Sequence, residues 1–359
     1  MESTSLGILC RRPILDEDCP EVSDIDLLSI WERPEEQPER LTVEGPLGTT
    51  FVDVLWIPAS KMLDAVQAAG YKILPHLLLE SEVVWMRSEA VRPLIENIRL
   101  NAYEKAVWER RITSQMGFGD AALHEAVNNL TFPPAALFFL QTAHSYYVMA
   151  LANCLRESTM GLLTKPITKL RRMAARTTTR ELEGLFRANL RLDANPLGAL
   201  EALDGIHAAV TERCSGRQIQ DVSGRTSGHY SYTISATELH YRESVAAALI
   251  WRGDYAAANF YLRFWAYSLS RCPVVLEEAR QGKNPSFYVP NRRLRESLLT
   301  ACPEIIDDVQ LVMGGELTRS QAERSVEGTN RFRGLVADEI RSRGFWLDAP
   351  GGTGAEQEA

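Results

Sequence analysis

Hydrophobic and polar positions follow two different patterns along the chain, and the pattern changes near residue 60. Before that point, short apolar runs are separated by polar turns. The strongest runs are DIDLLSIW at Asp24–Trp31 and TTFVDVLWI at Thr49–Ile57, and a shorter run covers Leu6–Cys10. Runs rich in β-branched and aromatic residues are typical of strands. This region therefore predicts a small sheet, with a loop or frayed helix between the two strong strands at residues 33–40.

From residue 60 onward the apolar positions recur at helical spacing. The segment ASKMLDAVQAAG predicts a helix capped by Ser60 and stopped at Gly70. Residues 80–110 predict amphipathic helices with a break near Pro93. Further helices are predicted at residues 121–129, 134–158, 180–190 and 195–214, then in two segments after residue 235 that are separated by Gly253-Asp254.

Together these patterns predict an α+β protein in three parts. Residues 1–115 form a small head, a mixed sheet with flanking helices, and residues 116–345 form an all-helical bundle. Within the bundle, the Gly- and Ser-rich segment 215–233 predicts a flexible loop. The last residues, 346–359, contain APGGTGAEQEA and predict a disordered tail.

Composition narrows the class of protein. The 45% apolar and 24% charged residues are those of an ordinary globular chain, and the formal net charge of -8 argues against broad electrostatic binding to duplex nucleic acid. The sequence shows no secretory leader and no apolar run long enough to cross a membrane. Its six cysteines are scattered without CxxC spacing, which favours reduced thiols. A cytoplasmic protein is expected.

The candidate chemistry lies in three carboxylates of the head. In Ser-Asp-Ile-Asp, Asp24 and Asp26 are two positions apart, so on a strand they share one face. Asp53 lies in the second strong strand between Val52 and Val54, which are expected to face the core. If the two strands are neighbours, the three carboxylates converge. Hard oxygen ligands of this kind favour Mg²⁺ or Mn²⁺.

The SDID tetrad and the strand aspartate Asp53 must each be weighed against a simpler interpretation. A tetrad such as SDID is common in surface loops, where it carries no site. An aspartate in the middle of an apolar strand is less common, because a buried charge is costly without a partner. The occurrence of both at this separation favours a metal site at Asp24, Asp26 and Asp53.

These motifs resemble the nucleotidyltransferase superfamily of DNA polymerase β. Ser-Asp-Ile-Asp-Leu followed by a strand with a third aspartate is most similar to the minimal bacterial type with a helical C-terminal region, which includes aminoglycoside nucleotidyltransferases. The resemblance covers about residues 6–110, and LLESEVVWMRSEAVRPLIENIR is similar to the helix–strand–helix that closes such heads. It implies transfer of a nucleoside monophosphate from a nucleoside triphosphate, ATP above all, to a small-molecule hydroxyl, with pyrophosphate released. Asp24, Asp26 and Asp53 would then be both metal ligands and catalytic residues.

The sequence departs from the family where a Gly-Ser pair is expected, about ten residues before Ser23. It has Cys10-Arg11-Arg12-Pro13 there. Arg11 and Arg12 could replace the neutral donors by direct charge pairing with phosphate. Loss of nucleotide binding is the alternative. Ser23 is expected to bind nucleotide or to cap the loop before the carboxylates.

Other candidates have two interpretations each. Lys165 and Lys169 either reach the triphosphate or belong to a solvated basic helix face. Glu80 and Glu82 either supply a general base or, as we favour, are surface acids. The aromatic residues after residue 240, together with His144, Tyr146 and Tyr147, either line a cleft or, as helical spacing favours, form core. These later aromatics are Tyr255, Phe260, Tyr261, Phe264, Trp265 and Tyr267.

Two functions from other classes stay open. One is a catalytically weakened nucleotidyltransferase-like protein that acts as a regulator or an antitoxin-type binding module, which the missing Gly-Ser favours. The other is transfer to a polynucleotide end, which the basic stretch from Lys165 to Arg180 favours and the acidic net charge opposes. The expected partners are a nucleoside triphosphate and a small acceptor, with no membrane and no nucleic acid, and a homodimer is conceivable.

Overall fold

The head contains a five-stranded sheet. The computed structural model describes residues 5–11, 25–32, 39–45, 48–70, 74–157, 166–177, 180–214, 233–283 and 293–345. Within them the strands are β1 (Ser5–Arg11), β2 (Ile25–Trp31), β3 (Glu39–Gly45), β4 (Gly48–Pro58) and β5 (Ser81–Met86).

The strand order is β3-β4-β2-β1-β5, so the two strands predicted most strongly, β2 and β4, are neighbours at the centre. They run parallel, whereas the other three pairs are antiparallel, which makes the sheet mixed. β3 was not predicted as a strand. Its seven residues, ERLTVEG, contain few apolar positions, and it is held by pairing with β4 from Gly45 opposite Gly48 to Glu39 opposite Val54.

Three short helices follow β4 in the head. After a 3-10 turn at Ala59–Met62 come α1 (Ala65–Gly70), α2 (Leu74–Glu80) and, beyond β5, α3 (Val91–Asn101). The predicted single helix from Ser60 is therefore broken, and the prediction of its cap was wrong. The carboxylate of Asp64 accepts the backbone N–H groups of Val66 and Gln67 at 3.1 and 3.0 Å, so Asp64 caps α1.

The prediction of helices throughout 80–110 was also wrong in part, because β5 pairs with β1 as a strand at Ser81–Met86. The helix–strand–helix order implied by the family resemblance is the order observed. Pro93 does not break α3, because it lies in the first helical turn, where its missing N–H has no intrahelical acceptor.

The rest of the described chain is helical, as predicted. The helices are α4 (Lys105–Asn128), α5 (Pro133–Cys154), α6 (Pro166–Ala174), α7 (Leu182–Leu190), α8 (Leu197–Cys214), α9 (Ala236–Trp251), α10 (Tyr255–Arg280), α11 (Leu294–Ala301), α12 (Ile306–Val312) and α13 (Arg319–Ser342). The α+β prediction is confirmed. α4 continues through residue 115 without interruption. The domain boundary that was predicted at this residue stays a prediction. Most of the predicted loop, 215–232, and the whole predicted tail, 346–359, lie outside the described residues.

Two hydrophobic cores stabilise the head and the helical body. In the head, the apolar side chains of β1 and β2 pack beneath α1–α3, and Leu28, Ile30 and Ile95 are fully buried. A larger cluster runs through α4–α13. The two regions interlock where His76 of α2 lies against Asn153 of α5, with Nε2 and Oδ1 3.1 Å apart.

The aromatic stripe of α10 belongs to the body core. Phe260, Tyr261, Trp265 and Tyr267 are all buried, which confirms the core interpretation for them, whereas Tyr255 at the start of the helix is 41% exposed. His144 is likewise buried, with its ring against Phe186 and Phe332. Among the cysteines of the described ranges, Cys154, Cys272 and Cys302 are free thiols.

None of the described helices is both long enough and apolar enough to span a membrane.

Candidate active site

Of the three candidate carboxylates, the structure describes two, Asp26 and Asp53, and these lie side by side at the centre of the sheet. In the parallel pair β2–β4, Asp26 is directly opposite Asp53. Neighbouring strands are about 4.8 Å apart, and residues in register point to the same face. Both aspartates are half-buried. The prediction that β2 and β4 would bring Asp26 and Asp53 together therefore matches the observed register.

The position of this pair along the strands follows from the sequence pattern. On the face that carries Asp26, the next two side chains are Leu28 and Ile30, both fully buried under the head helices. On β4, Asp53 is followed on the same face by Leu55 and Ile57. The apolar stripe therefore begins just past the carboxylates, which leaves them at the rim of the core, where a charged group keeps access to water.

The prediction that Val52 and Val54 face the core, on the side of the sheet opposite Asp53, needs one refinement. Val52 and Val54 are buried, at 8% and 1% exposed, and alternation places them on the face opposite Asp53, as predicted. However, neither belongs to the cluster under the head helices. That cluster lies on the carboxylate face, so the same face provides both the core and the candidate site.

The strand register places one arginine of β1 and one arginine of β3 on either side of the Asp26–Asp53 pair. The backbone of Arg11 in β1 is opposite Asp26, and that of Arg40 in β3 is opposite Asp53. Ser81 of β5 is opposite Arg11 in turn. One cross-strand row of the sheet thus contains Arg40, Asp53, Asp26, Arg11 and Ser81. β1 remains a strand up to Arg11, at the place where the family resemblance calls for a Gly-Ser turn.

The helical body contacts the sheet next to this row. Phe51 is two positions before Asp53 and therefore on the same face. Its ring packs against Tyr241 of α9 at 5.0 Å between centroids and against His240 at 5.7 Å. Tyr241 is buried, whereas His240 is exposed. α9 therefore forms a wall beside the carboxylates, with Ser235 capping its first turn through a bond from the backbone N–H of Glu238.

Phe51 was not singled out by sequence reasoning, and no local signal identifies it. A phenylalanine in a β-branched strand is an ordinary strand residue, and its contact with α9 joins positions almost two hundred residues apart. His240 and Tyr241, in the second turn of α9, both lie beside the carboxylate strand.

Of the remaining predicted site residues, the structure describes Lys169 but not the other four. Arg12, Ser23, Asp24 and Lys165 lie outside the described residues. Lys169 lies on α6, half-buried, near the head. Burial, together with the positive charges of Arg111 and, to a smaller extent, Lys169, lowers the pKa of His76 to about 4.

The two acids considered as general bases differ in position. Glu80 is the last residue of α2. Glu82 is exposed on β5 opposite Cys10, one position away from the Arg11–Ser81 pair, so it lies on the face opposite Asp26. A base for chemistry at Asp26 and Asp53 must share their face, which excludes Glu82 and agrees with its interpretation as a surface acid.

Two adjacent carboxylates are a donor set that suits a hard divalent cation such as Mg²⁺. Among the described residues no group of three or more His, Cys, Asp and Glu side chains is arranged to hold a metal ion. The predicted third ligand, Asp24, is outside those residues. Asp26 and Asp53 fit two positions of a magnesium shell that would need a third protein ligand, phosphate oxygens or water.

Comparison with known proteins adds little. No protein-family model matches the chain, and no curated protein matches it. Among solved structures the chain is similar to a nucleotidyltransferase-like protein from Exiguobacterium sibiricum, with 10% sequence identity, 85% of each chain covered and a TM-score of 0.32. A similarity this low carries no argument, and the function must be argued from the residues.

Proposed function

We propose that this protein is a metal-dependent nucleotidyltransferase, which moves a nucleoside monophosphate from a nucleoside triphosphate to a hydroxyl of a small molecule and releases pyrophosphate. The observation that carries the proposal is the register of Asp26 opposite Asp53 on adjacent parallel strands. It supports the convergence that the Ser-Asp-Ile-Asp motif and its family resemblance require. ATP is the expected donor.

In this proposal Asp24, Asp26 and Asp53 hold Mg²⁺ or Mn²⁺. The bound metal supplies charge neutralisation for the triphosphate and lowers the pKa of the attacking hydroxyl. Asp26 and Asp53 orient the donor's α-phosphate and the acceptor toward one another.

The basic residues of the head take the role of the missing Gly-Ser. Arg11 is beside Asp26 in the cross-strand row, and with Arg12 it is proposed to contact the triphosphate. A guanidinium forms paired hydrogen bonds with phosphate oxygens and does not need the close backbone approach that glycine permits. Ser23, Lys165 and Lys169 remain proposed nucleotide contacts.

The body is proposed to complete the cleft. α9 stands beside the carboxylate strand through Phe51 and Tyr241, and exposed His240 is next to that contact. An acceptor or a base between the sheet and α9 would lie within reach of Asp53. We keep a small-molecule acceptor because the net charge of -8 disfavours a polynucleotide. A cytoplasmic location and a homodimer remain expectations.

Pyrophosphate release tests the proposal. The purified protein is incubated with Mg²⁺, each of the four nucleoside triphosphates and a panel of hydroxyl-bearing acceptors. Removing one metal-binding carboxylate typically costs several kcal/mol of transition-state stabilisation, so Asp53→Asn and Asp26→Asn are each expected to lose about 100- to 1000-fold in rate. Glu82→Gln, on the opposite face of the same sheet, is the matched control and should keep the wild-type rate. An Asp53→Asn variant as fast as the wild type would refute the proposal.

A second candidate is a nucleotidyltransferase-like binding protein without turnover. The observation that favours it is Cys10-Arg11-Arg12 at the place of Gly-Ser, with β1 extended through Arg11. This candidate predicts binding of a nucleoside triphosphate with no pyrophosphate released for any acceptor. Wild-type turnover that depends on Asp26 would exclude it.

A further inference from the structure

A polar cavity, separate from the carboxylate site of the head, lies in the helical body where α9 ends and α10 begins. Its volume is about 470 Å³, within the range of small-molecule sites. It opens to solvent and is bordered by α6 and α7, and none of its lining residues belongs to the head. The inference drawn from it does not depend on the proposed function.

Three arginines from three different elements converge on this cavity. Arg171 comes from α6, Arg187 from α7, and Arg252 is the residue that ends α9. Arg171 also belongs to the basic stretch from Lys165 to Arg180, and it is not among the proposed nucleotide contacts. Convergence from separate elements fixes the relative positions of the guanidinium groups, as a recognition site requires.

Acidic neighbours hold two of these guanidinium groups in place. Nε and Nη1 of Arg171 donate to Glu183 and Asp254 at 2.9 and 2.8 Å. Burial opposes the charge of Arg171, but its hydrogen bonds to these acids raise its pKa overall. Hydrogen bonding to Asp193 likewise raises the pKa of Arg187. Both arginines therefore stay charged and oriented.

Hydrogen-bonding capacity is left over for a ligand. A guanidinium has five N–H donors. Within the described residues, the contacts of Arg171 use Nε and Nη1 and leave Nη2 without a partner. Arg187 donates both Nε and Nη2 to a single oxygen of Asp193, whose side chain is 60% exposed. An oxyanion with two oxygens can accept from this fork with better geometry than the single oxygen of an exposed aspartate.

The lining from α9 and α10 also includes apolar and aromatic side chains. Leu249 and Ala256 are buried there, and Tyr255, 41% exposed, is the first residue of α10. α10 has 26 residues, and the start of a long helix favours negative charge. The phenol ring of Tyr255 is therefore near both the arginines and this helix terminus. Such a wall suits a flat ring attached to an anionic group.

The charge balance limits how many negative charges the ligand can carry. The three arginines are largely balanced by Glu183, Asp193 and Asp254, so the cavity is close to neutral. Every negative charge of a ligand is then added to a nearly neutral cavity, so a single oxyanion group has a much smaller electrostatic cost there than a triphosphate. We propose that this cavity binds a small aromatic oxyanion, a ring compound with one phosphate or carboxylate group, with the oxyanion on Arg171 and Arg187 and the ring on Tyr255.

Isothermal titration tests the inference without any divalent cation, so that binding at the head carboxylates does not contribute. The probes are phenyl phosphate, benzoate and inorganic phosphate. The wild type is expected to bind at least one ring compound saturably and more tightly than inorganic phosphate. Comparison of phenyl phosphate with benzoate identifies which oxyanion the cavity prefers.

Two variants and one control locate the binding. Arg187→Gln is expected to weaken the ring compounds about tenfold or more, since a charge-assisted fork is lost. Tyr255→Ala, which breaks no ion pair, should weaken the ring compounds and leave inorganic phosphate unchanged. Arg341→Gln removes another ion-paired arginine, 56% exposed against 38% for Arg187. It is paired with Asp338 on α13, away from the cavity, and the variant should bind like the wild type.

Two results would overturn the inference: no saturable binding of either ring compound by the wild type, or wild-type affinity in both Arg187→Gln and Tyr255→Ala. Thermal melting of each variant shows that it is folded. Asp26→Asn with Asp53→Asn should keep the ring-compound affinity, so failure here and failure of the proposed transferase activity are distinguishable.

Discussion

The head and the helical body place their charged residues in different ways. In the body, Arg263 is 2% exposed and donates to the backbone carbonyls of Leu190 and Arg191, where α7 ends. In the head, Asp26 and Asp53 are half-buried, in register and at the rim of the core. Full burial with carbonyl partners indicates a structural role. Partial burial of two like charges in register is the arrangement on which the proposed metal site rests.

The first way to test this comparison is to remove a buried structural charge. Arg263→Ala leaves the carbonyls of Leu190 and Arg191 without their donor and opens a cavity. We expect a loss of about 3–5 kcal/mol in the free energy of unfolding, measured by urea denaturation. Arg319→Ala, which breaks an exposed pair with Glu323 on α13, should cost less than about 0.5 kcal/mol. Equal losses of unfolding free energy in both variants would contradict the distinction between a buried structural charge and an exposed ion pair.

The second prediction concerns pH. The folded protein keeps His76 neutral down to a pKa of about 4, because the ring is buried and near Arg111, whereas the unfolded chain takes up a proton near pH 6.5. The unfolded state therefore binds more protons between these values, and stability is lost as pH falls from about 6.5 to 4. The loss from His76 is at most about 3 kcal/mol. His144, with a burial-lowered pKa of about 3, adds to it.

His76→Gln separates the two contributions. Glutamine does not titrate, so the free energy of unfolding of the variant should fall less steeply than that of the wild type between pH 6.5 and 4. Denaturation at several pH values measures the slope. Identical slopes would mean that His76 is not held neutral between the head and the body.

The third prediction concerns helix packing in the body. The ring of Tyr147 on α5 covers Gly119 on α4 so closely that a methyl group there would clash, and the Tyr147 hydroxyl is fixed by donating to Asp120 at 2.8 Å. Gly119→Ala should cost about 1–3 kcal/mol in the free energy of unfolding. Gly117→Ala, on the same helix with open space around it, should gain up to about 1 kcal/mol. A stabilised Gly119→Ala would contradict the close packing.

Much of the fold could be predicted from local patterns. β2 and β4 were predicted because apolar and β-branched residues dominate their sequences, and the long helices of the body because their apolar positions recur at helical spacing. β3 was missed, and β5 was expected only from the family resemblance, since the local periodicity predicted a helix there. Their stability comes from pairing with β4 and β1, and six or seven residues at a sheet edge give little periodic signal.

The candidate site could be predicted only in part, for a related reason. The motif identifies Asp26 and Asp53 as carboxylates on strands. It does not contain their register, which depends on how β4 returns parallel to β2 after the intervening β3. The contact of Phe51 with α9 and the convergence of Arg171, Arg187 and Arg252 are tertiary, so no local spacing reveals them.

The central claim is that the Asp26–Asp53 row binds a nucleoside triphosphate through a divalent cation. Isothermal titration with ATP, CTP, GTP and UTP, with and without Mg²⁺, tests it most directly in the wild type and in Asp26→Asn with Asp53→Asn, with Glu82→Gln as control. The claim predicts binding that requires Mg²⁺, persists in Glu82→Gln and is lost in the double variant. Absence of binding in the wild type, or undiminished binding in the double variant, would contradict it.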